Sequence, residues 1–259
     1  MNRIDELFKK KKKDILSVYF SAGYPGINDT RQIIKILTKS GVDLIEIGMP
    51  FSDPMADGPV IQKSNDAALK NGMSLRMLFE QLKDIRSEVD IPLLMMGYIN
   101  PVMQYGIDRF CEKCHVLGLD GVILPDLPLD VYLEEYKPTF EKYNLHMIFL
   151  VSPQTSNERI FKIDEESKGF IYMVSSSSTT GMKNSISKEQ ETYFNRLNNI
   201  NLKNPRLIGF GISNHQTYQK ACQYADGVIV GSAFIKALAE EGELEAKIQR
   251  FVKMIRGEG

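Results

Sequence analysis

The fold is indicated by residues 206–233, which read RLIGFGISNHQTYQKACQYADGVIVGSA. Two short apolar runs, 206–209 and 228–230, flank a stretch at 216–224 in which apolar residues recur at helical spacing. This order of elements is typical of a strand, a helix and a second strand. Because both runs are apolar on both faces, they suit a parallel sheet that is covered by helices.

The same pattern recurs along the whole chain. We predict strands at 15–21, 44–47, 92–96, 121–124, 147–151, 170–174, 206–209 and 228–230. A helix is predicted after each of them, at 31–39, 75–87, 107–117, 131–143, 158–167, 189–197, 216–224 and 245–255. In a chain of 259 residues, this alternation favours an α/β fold that closes as a (β/α)8 or TIM barrel over an open doubly wound sheet. No Pro- or Gly-rich linker divides the chain, so we expect one barrel domain over 1–259, with an extra N-terminal helix.

Two gaps between predicted elements are longer than a minimal connection. They are residues 48–74 after the second strand and residues 175–188 after the sixth. Loops of this length are usually functional or disordered. In a barrel both gaps follow the C-terminal ends of strands, where active sites form.

Composition restricts the classes of partner. The chain has 32 basic and 33 acidic residues and a net charge of -1, so it has no general field that attracts nucleic acid or anionic membranes. No apolar run approaches the roughly 20 residues of a membrane helix. Three cysteines are too few for a disulfide framework. We therefore expect a cytoplasmic protein with a small-molecule ligand.

Two carboxylates are candidates for acid and base chemistry. Glu46 lies inside the apolar run 44–48, where burial would raise its pKa and allow proton exchange near neutral pH. Asp57 lies in PFSDPMADGP at 50–59, whose three prolines restrict its shape. The alternatives are a salt-bridged Glu46 and an ordinary Asp-Gly turn at Asp57.

Glycines after the last two strands suggest a phosphate site. Gly211 follows the seventh predicted strand, and Gly231 and Ser232 follow the eighth. Backbone N–H groups and the N-terminus of a helix near Ser232 could bind an anion there. Tight turns would require the same glycines. Neither motif matches the dinucleotide-binding fingerprint.

The sequence gives little support to haem, zinc or Schiff-base chemistry. Residues 111–115, CEKCH, match the string for haem attachment, but they lie in an amphipathic helical stretch and offer too few ligands for zinc. No predicted strand ends in a lysine that could form a Schiff base. We expect no metal and no cofactor in this chain, and a barrel that cleaves or isomerises a phosphorylated substrate with carboxylates.

The sequence resembles the tryptophan synthase alpha chain family over its whole length. The motif at 50–59 after Glu46 is the most specific feature, and AGYP at 22–25, YINP at 98–101, PDLP at 125–128, GFGIS and GSA agree with it. The resemblance implies cleavage of indole-3-glycerol phosphate to indole and glyceraldehyde 3-phosphate without a metal. It also implies a beta-chain partner that carries pyridoxal phosphate, in an alpha2beta2 tetramer.

The resemblance further implies residue roles. Glu46 would protonate indole carbon 3 and remove the proton of the glycerol hydroxyl, and Asp57 would hold the indole N–H proton. The residues that would contact the indole are Phe20, Ile61, Leu127, Tyr172 and Phe210, and those near the phosphate are Thr180, Gly181, Gly211, Gly231 and Ser232. Asp53 and Pro54, expected to be exposed, resemble the contact with the beta chain. Ser178 departs from the family pattern, in which glycine is usual.

Two other classes of function stay open at this point. One is a binding or activator subunit that keeps the barrel and the phosphate site but has little turnover. The other is a different phosphate-binding barrel enzyme, such as a phosphosugar isomerase or a lyase that acts without a partner. An assay for indole with and without a beta chain separates the three hypotheses.

Overall fold

The strands of the protein form one parallel sheet. The structure is a computed structural model that describes residues 1–174, 187–209 and 211–258. The strand segments are β1 (Ile15–Ser21), β2 (Leu44–Gly48), β3 (Leu93–Met96), β4 (Gly121–Ile123), β5 (His146–Ile148), β6 (Leu150–Val151), β7 (Ile171–Val174), β8 (Arg206–Gly209) and β9 (Gly227–Val230). Their spatial order is β5-β4-β3-β2-β1-β9-β8-β7-β6.

The two ends of this order belong to one continuous run, which closes the barrel. β5 pairs with β4, and β6 pairs with β7. Only Phe149 separates β5 from β6 along the chain. The predicted fifth strand, 147–151, is therefore present as two segments, and the predicted (β/α)8 barrel is confirmed.

Helices follow the strands as predicted, and the structure contains several further helices that were not predicted. They are α1 (Arg3–Lys10), α2 (Thr30–Lys39), α3 (Pro59–Lys70), α4 (Leu75–Gln81), α5 (Ile99–Tyr105), α6 (Ile107–Val116), α7 (Leu129–Val131), α8 (Lys137–Lys142), α9 (Asn157–Glu166), α10 (Lys188–Asn198), α11 (His215–Cys222), α12 (Ser232–Ala239) and α13 (Leu244–Arg256). A 3₁₀ turn at Ile85–Ser87 follows α4, and a π-helical turn at Tyr132–Tyr136 joins α7 to α8. No helix in the described part of the chain is long and apolar enough to cross a membrane.

The long gap after β2 contains a helix, α3, which corrects the expectation of a loop throughout 48–74. Pro59 begins α3, because a proline at the first helical position loses no intrahelical hydrogen bond. The non-helical residues between β2 and α3 are the 49–58 segment, which carries Asp57. Of the second predicted long loop, residues 175–186 lie outside the described residues.

Side chains of the strands alternate between two apolar layers. The inner layer contains residues from every part of the barrel: Ile15, Leu44, Leu94, Ile123, Ile148, Phe170, Tyr172, Leu207 and Ile229. The outer layer packs alternate strand residues, such as Leu16, Val18 and Phe20 of β1, against the helices. This alternation determines which residues can reach the interior.

Helix α1 covers the N-terminal ends of the strands. Ile4 and Phe8 join the inner layer, and Phe8 packs against Phe170 with ring centroids 5.9 Å apart. The side-chain amide of Asn2 donates a hydrogen bond to the carbonyl of Asp120 at 2.7 Å. The expected extra N-terminal helix is thus present, and it closes the end of the barrel opposite to the C-terminal strand ends.

We predict that Ile4→Ala lowers the free energy of unfolding by about 2–5 kcal/mol, because it leaves a cavity in a fully buried site. Chemical denaturation monitored by circular dichroism measures this change. Val116→Ala is the control, since Val116 is 71% exposed on the last turn of α6 and should change stability by less than about 0.5 kcal/mol. Equal effects of the two substitutions would show that α1 does not stabilise the barrel.

Candidate active site

Glu46 lies on β2 and faces the interior of the barrel. It is fully buried. Its Oε1 accepts a hydrogen bond from the Ser17 hydroxyl at 2.8 Å, whereas its Oε2 has no partner among the described residues. Burial raises the pKa of Glu46 to about 8, and the hydrogen bond from Ser17 opposes part of that rise. The carboxyl group can therefore hold a proton at neutral pH.

Asp57 is the second buried carboxylate of this site, and it lies on the 49–58 segment. Its Oδ2 accepts a hydrogen bond from the Tyr98 hydroxyl at 3.1 Å, and the Tyr98 oxygen in turn accepts one from the backbone N–H of Ala56 at 2.9 Å. The Asp57 N–H donates to the carbonyl of Pro54 at 3.0 Å, which completes a turn. Burial raises the pKa of Asp57 to about 6, and the Tyr98 hydrogen bond opposes that rise.

A pocket opens beside Asp57. It contains about 230 Å³ of empty space, part of it continuous with solvent, and its walls are formed by Tyr19, Met49, Asp57, Asn65, Met96, Gly97, Tyr98 and Pro125. The wall is mixed in character, because the apolar side chains of Met49, Met96 and Pro125 lie beside the polar groups of Tyr19, Asn65 and Tyr98 and the Asp57 carboxylate.

Two tyrosines link Asp57 to Glu46 electrostatically. Tyr19 and Tyr172 are almost fully buried, and burial is the main cause that raises the pKa of each hydroxyl. The negative charges of Glu46 and Asp57 both raise these pKa values further. Both tyrosines thus stay neutral and lie within electrostatic range of both carboxylates.

Glycines at strand ends make room for these two rings. A Cβ atom at Gly48, the last residue of β2, would overlap the Tyr19 hydroxyl. A Cβ atom at Gly209, the last residue of β8, would overlap the Tyr172 hydroxyl. The glycines therefore allow aromatic side chains to cross the interior close to the backbone of neighbouring strands.

The structure brings some of the expected indole-contacting residues together. A Cβ built at Gly231 would lie 3.7 Å from Ile61 Cδ1 and 3.5 Å from Tyr19 Cδ1. Tyr172 belongs to the inner layer, as expected for a residue that contacts a ligand inside the barrel. Ile61, Gly231 and the tyrosines therefore surround one region at the C-terminal ends of the strands.

Two expected indole contacts lie elsewhere. Phe20 is in the outer layer because side chains alternate along β1, and its neighbour Tyr19 lines the pocket instead. Leu127 is buried in the larger apolar cluster and does not line the pocket, whereas Pro125 lines it in that part of the chain. The alternation of polar residues along β1 would have indicated Tyr19 from the sequence.

The glycines expected near a phosphate lie at the start of a helix and just after a strand. Gly231 is the N-cap of α12, which begins at Ser232. Gly211 follows β8 with a φ of 83°, a conformation that favours glycine. Thr180, Gly181 and Phe210, together with Ser178, lie outside the described residues.

No metal-binding group is found in the part of the chain that the structure describes. No three or more His, Cys, Asp or Glu side chains there are arranged to hold an ion. Cys111 and Cys114 are buried on α6, and burial raises the pKa of the Cys111 thiol to about 12. These thiols are therefore protonated and face the core.

Comparison with known proteins identifies the family. Residues 6–258 match the family described as tryptophan synthase alpha chain. This chain belongs to the tryptophan synthase alpha chain family. Tryptophan synthase alpha chains of Flavobacterium johnsoniae and Flavobacterium psychrophilum are 60% and 58% identical to it, over 99% and 98% of this chain and 100% of each relative.

Solved structures of tryptophan synthase share the fold. A structure from Mycobacterium tuberculosis superposes with a TM-score of 0.89 at 31% identity, covering 99% of this chain and 97% of that one. The alpha chain of Legionella pneumophila gives a TM-score of 0.88 at 32% identity, with the same coverage. These comparisons confirm the predicted family and barrel.

Membership of the tryptophan synthase alpha chain family defines the reaction. The chain is a lyase of tryptophan biosynthesis, the alpha subunit that cleaves indole-3-glycerol phosphate to indole and glyceraldehyde 3-phosphate. The name alpha chain also implies a beta-chain partner.

Proposed function

We propose that Glu46 is the general acid and base of the cleavage and that Asp57 is the carboxylate that holds the indole N–H. The proposal rests on the different environments of these two buried carboxyl groups. Burial raises the pKa of Glu46 to about 8 and the pKa of Asp57 to about 6. Near pH 7 Glu46 is then mostly protonated, while Asp57 is mostly ionised. Two carboxyl groups with separated pKa values can act as an acid and a base in one site.

The reaction uses these two states in sequence. Glu46 gives its proton to indole carbon 3, which leaves a positive charge shared with the indole nitrogen. The Asp57 carboxylate accepts a hydrogen bond from the N–H and stabilises that charge. The Glu46 carboxylate then removes the proton of the hydroxyl group on the carbon attached to indole carbon 3. With that proton Glu46 is protonated again. The bond between the two carbons breaks, the carbon that carried the hydroxyl group becomes an aldehyde, and the electron pair of the broken bond returns to the indole ring.

The geometry also supports a set of binding roles. Tyr19, Ile61, Tyr172 and Pro125 would contact the indole, with Tyr19 and Pro125 replacing the expected Phe20 and Leu127. Backbone groups at Gly211, Gly231 and Ser232 would bind the phosphate at the start of α12, where the helix dipole favours an anion. Thr180, Gly181 and Phe210 keep the substrate-binding roles that the family resemblance implies.

The beta-chain contact is proposed on the 49–58 segment. Asp53 and Met55 are exposed there, and Met55 is 87% exposed, but Pro54 is buried and not exposed as expected. A partner that covers Asp53 and Met55 would restrain the segment that carries Asp57. We further propose a cytoplasmic alpha2beta2 tetramer with pyridoxal phosphate in the beta chain, and one domain over 1–259, which the single nine-segment sheet supports.

We predict that neither carboxylate can be replaced by its amide. Glu46→Gln cannot transfer a proton, and Asp57→Asn cannot neutralise the charge on the indole, so each should lower kcat by about 10²- to 10⁴-fold. Release of indole from indole-3-glycerol phosphate measures the rate, and circular dichroism checks the fold. Glu112→Gln, an exposed carboxylate on α6, is the matched control and should be unchanged.

More than about a tenth of wild-type kcat in Glu46→Gln would remove Glu46 from the chemistry. An Asp57→Asn variant that changes only KM would reduce Asp57 to substrate positioning. A wild-type chain that binds substrate without releasing indole would favour the binding-subunit hypothesis instead.

We predict that a cognate beta chain accelerates indole release, because a partner on the 49–58 segment would restrain Asp57 in its closed position. Asp53→Ala should weaken both the association and the acceleration, because Asp53 lies four residues before Asp57 on the exposed part of the segment. Steady-state assays with increasing beta chain, together with sizing of the complex, measure the effects. Glu165→Ala, an exposed position on α9, is the control. Complex formation without acceleration would contradict the coupling.

A further inference from the structure

Ser17 is a polar residue in an apolar part of the barrel. Along β1 the side chains of Ser17, Tyr19 and Ser21 face the interior, between strands whose inner residues are Leu44 and Ile229. Ser17 is fully buried. A buried hydroxyl is unfavourable unless it forms a hydrogen bond, so the partner of Ser17 indicates why a serine is tolerated there.

The partner is the carboxyl group of Glu46. The Ser17 hydroxyl donates to Oε1 across 2.8 Å, which is normal for a strong O–H···O bond. The second oxygen, Oε2, is buried and has no partner in the described ranges. The two oxygens of Glu46 are therefore not equivalent, because one is occupied as an acceptor and the other is vacant.

The difference between Oε1 and Oε2 determines which of them carries the proton of Glu46. An oxygen that already accepts the Ser17 hydrogen bond is the carbonyl oxygen of the protonated carboxyl group, so the proton lies on Oε2. We propose that Ser17 is a positioning residue that fixes the Glu46 carboxyl group and reserves Oε2 as the proton-carrying atom. This inference rests on the proposed role of Glu46 in the cleavage. It assigns that role to one atom and to a residue that holds it in place.

Among the residues that the structure describes, Ser17 is the side chain that donates a hydrogen bond to Glu46. The titratable groups that interact with it are Tyr19 on β1 and Tyr172 on β7, and Asp57 acts on the same two tyrosines from the 49–58 segment. Burial raises the pKa of Glu46, and the Ser17 hydrogen bond is the interaction that lowers it. Loss of the hydroxyl should therefore both raise the pKa and free the carboxyl group to rotate.

Three variants of Ser17 measure its effect on the titration of Glu46 separately from its effect on catalysis. Ser17→Ala removes the hydroxyl, Ser17→Thr keeps it, and Ser17→Cys keeps the volume with a weaker donor. Infrared difference spectra against Glu46→Gln isolate the carbonyl band of protonated Glu46 and report its midpoint without reference to activity. Steady-state indole release over the same pH range gives kcat and KM.

For Ser17→Ala we expect the midpoint of the Glu46 band to rise by about one pH unit, as for loss of a hydrogen bond to a charged group. We expect kcat to fall about tenfold with KM unchanged, because the reacting oxygen is no longer held in place. Ser17→Thr should restore both quantities. Ser17→Cys should shift the midpoint in the same direction as alanine, which keeps the test decisive if the alanine variant does not fold.

Unchanged midpoint and kcat in Ser17→Ala would overturn the proposal. Equal losses in the alanine and threonine variants would also overturn it, because they would reflect packing and not the hydroxyl. If Glu46→Gln were active while the Glu46 band still shifted in Ser17→Ala, the catalytic role of Glu46 would fall and the effect of Ser17 on its proton would stand.

Discussion

The site depends on the full burial of one carboxyl group, that of Glu46, inside the barrel, which is energetically unfavourable for the ionised group. Glu46 has a hydroxyl as its hydrogen-bond partner, and burial dominates its pKa. A buried carboxylate without a cation is costly, and the group reduces that cost by holding a proton at neutral pH. A barrel interior is suited to this purpose, because strands on every side exclude water while the C-terminal end remains accessible to substrate.

The second carboxylate is held in a different way, and the difference matters for its role. Glu46 is fixed on a central strand, whereas Asp57 lies on the 49–58 segment and is held by Tyr98 and by a turn to Pro54. Its smaller rise in pKa leaves it ionised near pH 7. In the proposed mechanism the rigid group supplies the proton, and the group on the connecting segment supplies the charge. Since Asp53 and Met55 of that segment are exposed, a partner could act on Asp57 without contacting Glu46.

The sequence predicted the barrel and both carboxylates, because apolar runs and a glutamate within one of them are visible without coordinates. It did not predict α3, since Pro59 and Asp-Gly are typical of turns as well as of helix starts. The pocket is lined by Tyr19 and not by the predicted Phe20, and a difference of one residue on a strand moves a side chain to the opposite face. Tyr98 and Ser17 were not predicted as partners of the carboxylates, because contacts between elements distant in sequence depend on strand register and helix placement.

The central claim is that Glu46 acts from its protonated state, and the alkaline limb of the pH profile tests it most directly. Loss of the Glu46 proton should decrease kcat/KM for indole release as pH rises through about 8. An acid limb near pH 6 is expected as Asp57 becomes protonated, although the substrate phosphate also titrates at about 6. The measurement is therefore kcat/KM between pH 7 and 10, for the wild type and for the residual activity of Glu46→Gln. The account predicts a tenfold decrease per pH unit above about 8 in the wild type and no such limb in the variant. A wild-type profile that is flat or rising across this range would contradict it.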